Sequence, residues 1–187
     1  VQEPVNSVTG LDIATLVIAV VGAITGVGSL LWNVVSHSLT GARVRVEVLG
    51  GWTDLTAVVA VPWPGFDPRT PPTSQFTTPV VAIRVRNVGR LPAWVTRWSL
   101  DVGDGTRLDD QVSMPGNDPL AHRLDGGEEN MWLLPYLLLD AVLVTLTGTA
   151  TPVTELTASV SLGTGRSIRS RSVPVIPPII EEAVDDD

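Results

Sequence analysis

Residues 81–100 read VAIRVRNVGRLPAWVTRWSL, and the alternation in this stretch decides the fold. Val81, Ile83 and Val85 alternate with Ala82, Arg84 and Arg86, the period-two pattern of a strand with one face buried. Asn87, Gly89 and Pro92 then break the pattern with residues that favour a turn, since Asn and Gly tolerate positive φ and Pro fixes its own. The return strand is expected to place Trp94, Thr96, Trp98, Leu100 and Val102 on one face, with both tryptophans plugging the core.

Working outward, the same pattern recurs. Val44, Val46 and Val48 alternate with Arg43, Arg45 and Glu47, and Leu55 to Val61 is a second β-branched run. Pro62 to Pro79 holds six prolines with Trp63, Gly65 and Phe66 and reads as an extended loop. Gly103-Asp104-Gly105 and Asp125-Gly126-Gly127 are turn signals, residues 107–121 are irregular, and a short strand is expected around Asn130 to Leu134. Tyr136 to Leu146, following Pro135, is expected to be a short buried helix. Leu156, Ala158, Val160 and Leu162 alternate with Thr157, Ser159 and Ser161, and Gly163-Thr164-Gly165 turns the chain back through Ser167 to Val175. Seven or eight short strands with regularly spaced turns predict an antiparallel β-sandwich over 43–176, mainly β with one short helix near 136–146. The acidic tail, 177–187, should be solvated and mobile.

Ahead of this domain, Ile13 to Val35 carries no charge over 23 residues. At about 1.5 Å per residue a helix of that length reaches roughly 34 Å, enough to cross a hydrocarbon core of about 30 Å. The predicted organisation is a short N-terminal tail at 1–12, a single transmembrane helix at 13–36 and a linker at 37–42. A cleaved signal peptide wants a basic n-region, whereas Glu3 and Asp12 are the charges found here. Thr15, Ala19, Gly22, Gly26, Ser29 and Asn33 follow a 4-3-4-3-4 spacing and form a stripe of small or polar side chains. Val17, Val20, Ile24, Val27, Leu31 and Val34 form the bulky stripe opposite. Association of spans depends on close backbone approach and interhelical hydrogen bonds, so the small stripe is a candidate seam for a second copy or a partner span.

The strand-turn-strand of residues 81–100, with its Asn-x-Gly turn between two core strands, resembles Ig-like or fibronectin-like bacterial domains. The whole layout resembles uncharacterised single-span membrane proteins of high-GC bacteria. That resemblance implies an architecture and no activity.

Composition excludes several function classes. A net charge of −8 lacks the basic footprint that nucleic-acid binding needs. All 12 basic residues are arginine, so Walker-type phosphate loops, Schiff-base enzymes and kinases, which need lysine, are ruled out. There is no cysteine, and His37 and His122 stand too far apart to suggest a zinc site or a Ser-His-Asp triad. No enzyme and no cofactor is expected. The acids at Asp101, Asp104, Asp109, Asp110, Asp118, Asp125, Glu128 and Glu129 lack EF-hand spacing; Asp104, Asp109 and Asp110 are weak candidates for a loop calcium site. Arg166, Arg169 and Arg171 give the last hairpin a basic edge, which suits a guard against strand pairing or a contact with an acidic partner. Arg43 and Arg45 follow the apolar helix and only acids precede it, so the positive-inside rule puts the C-terminal domain in the cytoplasm. The expected partners are the lipid bilayer and another copy or membrane protein. The expected role is a membrane-anchored interaction module, with an outward-facing envelope or secretion-assembly component as the alternative.

Overall fold

A computed structural model describes residues 10–54, 56–103, 105–111, 114, 116–147 and 153–176. The tails at 1–9 and 177–187, Asp104 and the side chain of His37 lie outside the described residues. The chain divides into two units, 1–41 and 42–187.

The first unit is one helix, α1 (Gly10–Thr40), 31 residues long. It takes in the first part of the expected linker, because nothing before Gly41 breaks the helix. Within it, 23 residues from Ala14 to Ser36 have a mean hydropathy of 2.2 and are long and apolar enough to cross a membrane.

The second unit is mainly β. One antiparallel sheet holds β1 (Val44–Thr53), β2 (Val58–Pro62), β3 (Thr78–Asn87) and β7 (Glu129–Pro135) in the order β2-β1-β3-β7. The other is built on β4 (Ala93–Asp101) and β8 (Glu155–Leu162), flanked by β5 (Arg107–Asp109), β6 (His122–Leu124), β9 (Ser167–Arg169) and β10 (Val173–Pro174). Val46, Val48, Ile83 and Val85 from the first sheet share one core with Val95, Trp98, Leu100, Leu156 and Val160 from the second. As expected, Tyr136–Thr147 forms a helix, α2, whose Tyr136, Leu139 and Leu143 enter that core.

Strand β4 departs from simple alternation. Its pairing with β8 slips between Val95 and Arg97, which leaves Thr96 as an extra residue; its hydroxyl donates to the Ser161 carbonyl at 3.1 Å. A bulge of this kind reverses which face each side chain meets. Ala93 and Val95 are therefore buried before it, and Trp98 and Leu100 after it. Thr96 is exposed and Trp94 is 50% exposed, which corrects the expectation that both join Trp98 in the core.

The Pro-rich stretch supplies what Trp94 does not. Pro62 precedes and Pro64 lies within a single 3-10 turn at Trp63–Gly65, and Trp63 and Phe66 are buried. Phe66 meets Trp52 edge-on at 4.7 Å and Tyr136 at 5.7 Å. Gly50 makes this seat possible, since a Cβ there would lie 2.0 Å from the Phe66 ring.

The β3–β4 turn is an arch that carries the chain from one sheet to the other, and the fully buried Asn87 holds it. Its amide nitrogen donates to the carbonyls of Leu91 (2.8 Å) and Leu124 (3.1 Å), and its side-chain oxygen accepts from the Gly89 N–H (3.0 Å). Its backbone exchanges bonds with Glu128 and Gly127 in the β6–β7 turn. Gly126 is needed there: a Cβ would lie 2.9 Å from the carbonyl oxygens of both Gly89 and Arg90.

Two outcomes test these assignments by urea denaturation. Trp98→Ala should cost about 3–5 kcal/mol, the range for removing a buried large aromatic, and Trp94→Ala less than about 1 kcal/mol. Asn87→Ala should cost about 2–3 kcal/mol, because it strands buried carbonyl and amide groups in the arch.

Candidate functional site

A concavity lies in the β domain, where two sheet edges stop short of one another. Strand β1 pairs with β3 along its whole length, Val44 to Thr53. On its other side β2 pairs only with Leu49 to Thr53. Beyond that point Pro62 and Pro64 lack the N–H groups a strand would need, and the 3-10 turn carries the chain away. Among the described residues, no strand pairs with Val44–Val48 on the side away from β3.

The hydrogen-bond phase shows which groups face this gap. The Val88 N–H donates to the Arg43 carbonyl, so Val44 and Asn87 form a non-hydrogen-bonded pair and Arg45 and Glu47 point their peptide groups at β3. Val44, Val46 and Val48 therefore direct their N–H and C=O groups at the open side, while their side chains stay in the core.

The opposite wall is the outer edge of the second sheet. The peptide groups of Ile168 and Ser170 face β8, so those of Ser167 and Arg169 face outward. Ser170 interrupts the strand: its hydroxyl accepts from the Ala158 N–H at 2.9 Å and donates to the Arg171 carbonyl at 2.8 Å. The Trp63 indole closes one end by donating to the Pro174 carbonyl at 2.6 Å. The result is a groove of about 670 Å³ between Val44–Leu49, Pro62–Pro64 and Ile168–Val173.

Its charge is basic although the chain is acidic. Arg45, Arg169 and Arg171 line the groove, and none makes an ion pair among the described residues. Glu47, the one acid in the lining, is paired with Arg84. The edge arginines were legible in the sequence; the half-length pairing of β1 was not, because a strand pattern shows faces and not edges.

The helix stripe is one continuous feature of α1. Thr15, Ala19, Gly22, Gly26, Ser29 and Asn33 all fall on it and are exposed. At about 100° per residue their spacing keeps them within roughly 40° of one line. A Cβ on Gly22 or Gly26 would meet nothing within 4 Å.

The acidic loops do not converge. Among the described residues no three His, Asp or Glu side chains gather as a metal site. Asp109 accepts from the Gln111 N–H in its own turn, and Asp118 accepts from the Asn130 side chain. His122 lies in β6, stacked edge-on against Trp132 with Asp118 at 3.8 Å. Two carboxyls elsewhere are held below their ordinary range, and both serve turns. For Asp54 the causes are the Thr56 hydroxyl, then the Ala57 and Thr56 N–H groups, then Gln75. For Asp67 they are the Arg69 N–H, then the Thr70 hydroxyl. Burial, then nearby Asp140, pushes the Tyr136 phenol up to about 12. Among the described residues, neither its hydroxyl nor the Trp52 indole N–H has a hydrogen-bond partner. Asp54, Asp67 and Tyr136 sit in structural positions.

No known family's sequence profile matches the chain, and no curated protein does. Among solved structures, the chain is similar to the putative ApaA protein from Bordetella pertussis at 15% identity. That alignment covers 75% of this chain and 98% of the other, with a TM-score of 0.32. It is also similar to a structural-genomics target, SoR45, at 9% identity, covering 74% and 90%, with a TM-score of 0.30. Superpositions that loose establish neither kinship nor activity.

The Asp54 turn gives a pH test. Its folded carboxyl titrates below the unfolded one, so its stabilisation is complete above the ordinary carboxylate range and fades as pH falls towards the folded value. Asp54→Ala should lower Tm most near pH 7, and the gap from the parent should narrow below about pH 4.

Proposed function

We propose that this chain is a membrane-anchored, non-enzymatic interaction module. In this reading α1 spans the bilayer once and carries an Ig-like β-sandwich on the cytoplasmic face. The observation that carries it is the surface of α1. Over Ala14–Ser36 none of the apolar window is buried within the protein, and Leu16, Ile18, Leu30 and Trp32 are each at least 66% exposed. A continuous apolar surface of that length is unfavourable in water and needs lipid or other helices around it.

The small-residue stripe supports pairing between spans, since open space over Gly22 and Gly26 permits close backbone approach. Its 3.5-residue period suits a left-handed crossing, and Asn33 can donate across the pair. Arg43 and Arg45 favour a cytoplasmic domain. The absence of lysine and cysteine from the sequence, and acids spent on their own turns, favour binding over catalysis.

Full-length protein reconstituted with phosphatidylcholine vesicles should float with them and resist alkaline carbonate extraction. Recovery in the soluble fraction would overturn the anchor. In a membrane two-hybrid reporter, Gly26→Ile should reduce self-association far more than Val27→Ile; equal effects would remove the seam. Protease added to intact cells should leave the β domain uncut, and cleavage would place it outside.

A further inference from the structure

We infer that the groove beside Val44–Val48 binds an acidic, extended peptide segment of a partner protein, which adds to β1 as a strand in the row that β2 vacates. This rests on the reading of the domain as an interaction module, though not on the membrane anchor.

Three observations carry it. The first is the open half-edge. Val44, Val46 and Val48 aim hydrogen-bonding groups at a space that no strand fills among the described residues, and main-chain bonding to such an edge is a recurring mode of peptide capture. The second is the contrast with β7, the far edge of the same sheet. There the Asn117 side chain accepts from the Leu133 N–H (2.7 Å) and donates to its carbonyl (2.9 Å), capping the edge as a strand would. The third is charge. Arg45, Arg169 and Arg171 line the groove, with Glu47 already neutralised by Arg84.

The charge also selects the occupant. A second copy docking by this same edge would offer Arg45, Arg169 and Arg171 only Glu47, which Arg84 already holds, so two net-positive edges would meet. An acidic strand is attracted. Directly opposed residues in an antiparallel pair share a face, so the partner's inward side chains lie opposite Val44, Val46 and Val48 and should be apolar. Ile168 and Val173 line the other wall and offer them apolar contact. Its outward side chains meet Arg45 and should be carboxylates. The recognised chemistry is therefore an alternation of β-branched and acidic residues over about five positions, roughly 17 Å of strand.

The probe is a fluorescein-labelled octapeptide of alternating valine and aspartate, titrated by anisotropy into the full-length protein in dodecyl maltoside micelles. Saturable binding is expected, weakening several-fold between about 50 and 300 mM salt. The double variant R169E/R171E, changed only at exposed side chains, should lose about tenfold or more in affinity while keeping its Tm. Register supplies the sharper arm. Val44, Val46 and Val48 sit at hydrogen-bonding positions, so N-methylation of the peptide's valine amides should abolish binding. N-methylation of its aspartate amides, which point away from β1, should largely spare it. Equal tolerance of both methylation patterns would show charge attraction without strand addition and overturn the proposal. So would undiminished binding by R169E/R171E, equal binding of a lysine-for-aspartate peptide, self-association through the groove in place of peptide capture, or no binding at all. Because the assay is in micelles, a failure to partition into vesicles would sink the anchor and leave this result standing.

Discussion

The two sheets of this domain are joined through the carboxamide of Asn87. The chain must leave one sheet at β3 and enter the other at β4, and an arch between layers has no ladder of its own to satisfy its peptide groups. Asn87 supplies the missing partners to Gly89, Leu91 and Leu124 from one buried side chain. Its backbone at the same time bonds the β6–β7 turn. The relative placement of Ile83 and Val85 on one side of the core and Val95 and Trp98 on the other follows from that arch. An apolar residue could fill the space but would leave the surrounding peptide groups dry and unpaired.

Much of this was legible in the sequence, where alternation and turn chemistry agree. The strands carrying Val44–Val48, Val81–Val85 and Leu156–Leu162 follow directly from their two-residue period, and the helix after Pro135 from its length and its proline. Three features were not legible. The phase slip at Thr96 is set by pairing with β8, which no local pattern records. The burial of Phe66 depends on a glycine sixteen residues earlier in the chain clearing space for its ring. The short strands β5 and β6 have only three residues each, too few for a period to register.

The candidate site divides in the same way. The stripe on α1 is a property of one helix, so spacing alone reveals it. The groove belongs to no single segment: it exists because β2 covers half of β1 and because Ser170 breaks the opposing edge. Its arginines are visible in the sequence, but their meeting across a gap is a consequence of topology. Acidic loops, by contrast, looked more suggestive in the sequence than they are in space: among the described residues no three acids gather, and Asp109 and Asp118 are occupied by Gln111 and Asn130.

The extra residue at Thr96 also fixes how this part of the chain can change over time. Strand length here is counted against two fixed posts, the arch at Asn87 and the turn at Gly103. Losing Thr96 would restore plain alternation with Ala93, Val95, Trp98 and Leu100 all still facing the core, whereas gaining a further residue without a second bulge would turn one half of β4 outward. The Cβ of Trp94 lies 3.2 Å from where Gly163 would carry its own, so the half of β4 before the bulge is closely packed on its outward side as well. Descendants of this sequence can exchange side chains along β4 and could shed the extra residue, but insertions there should be purged.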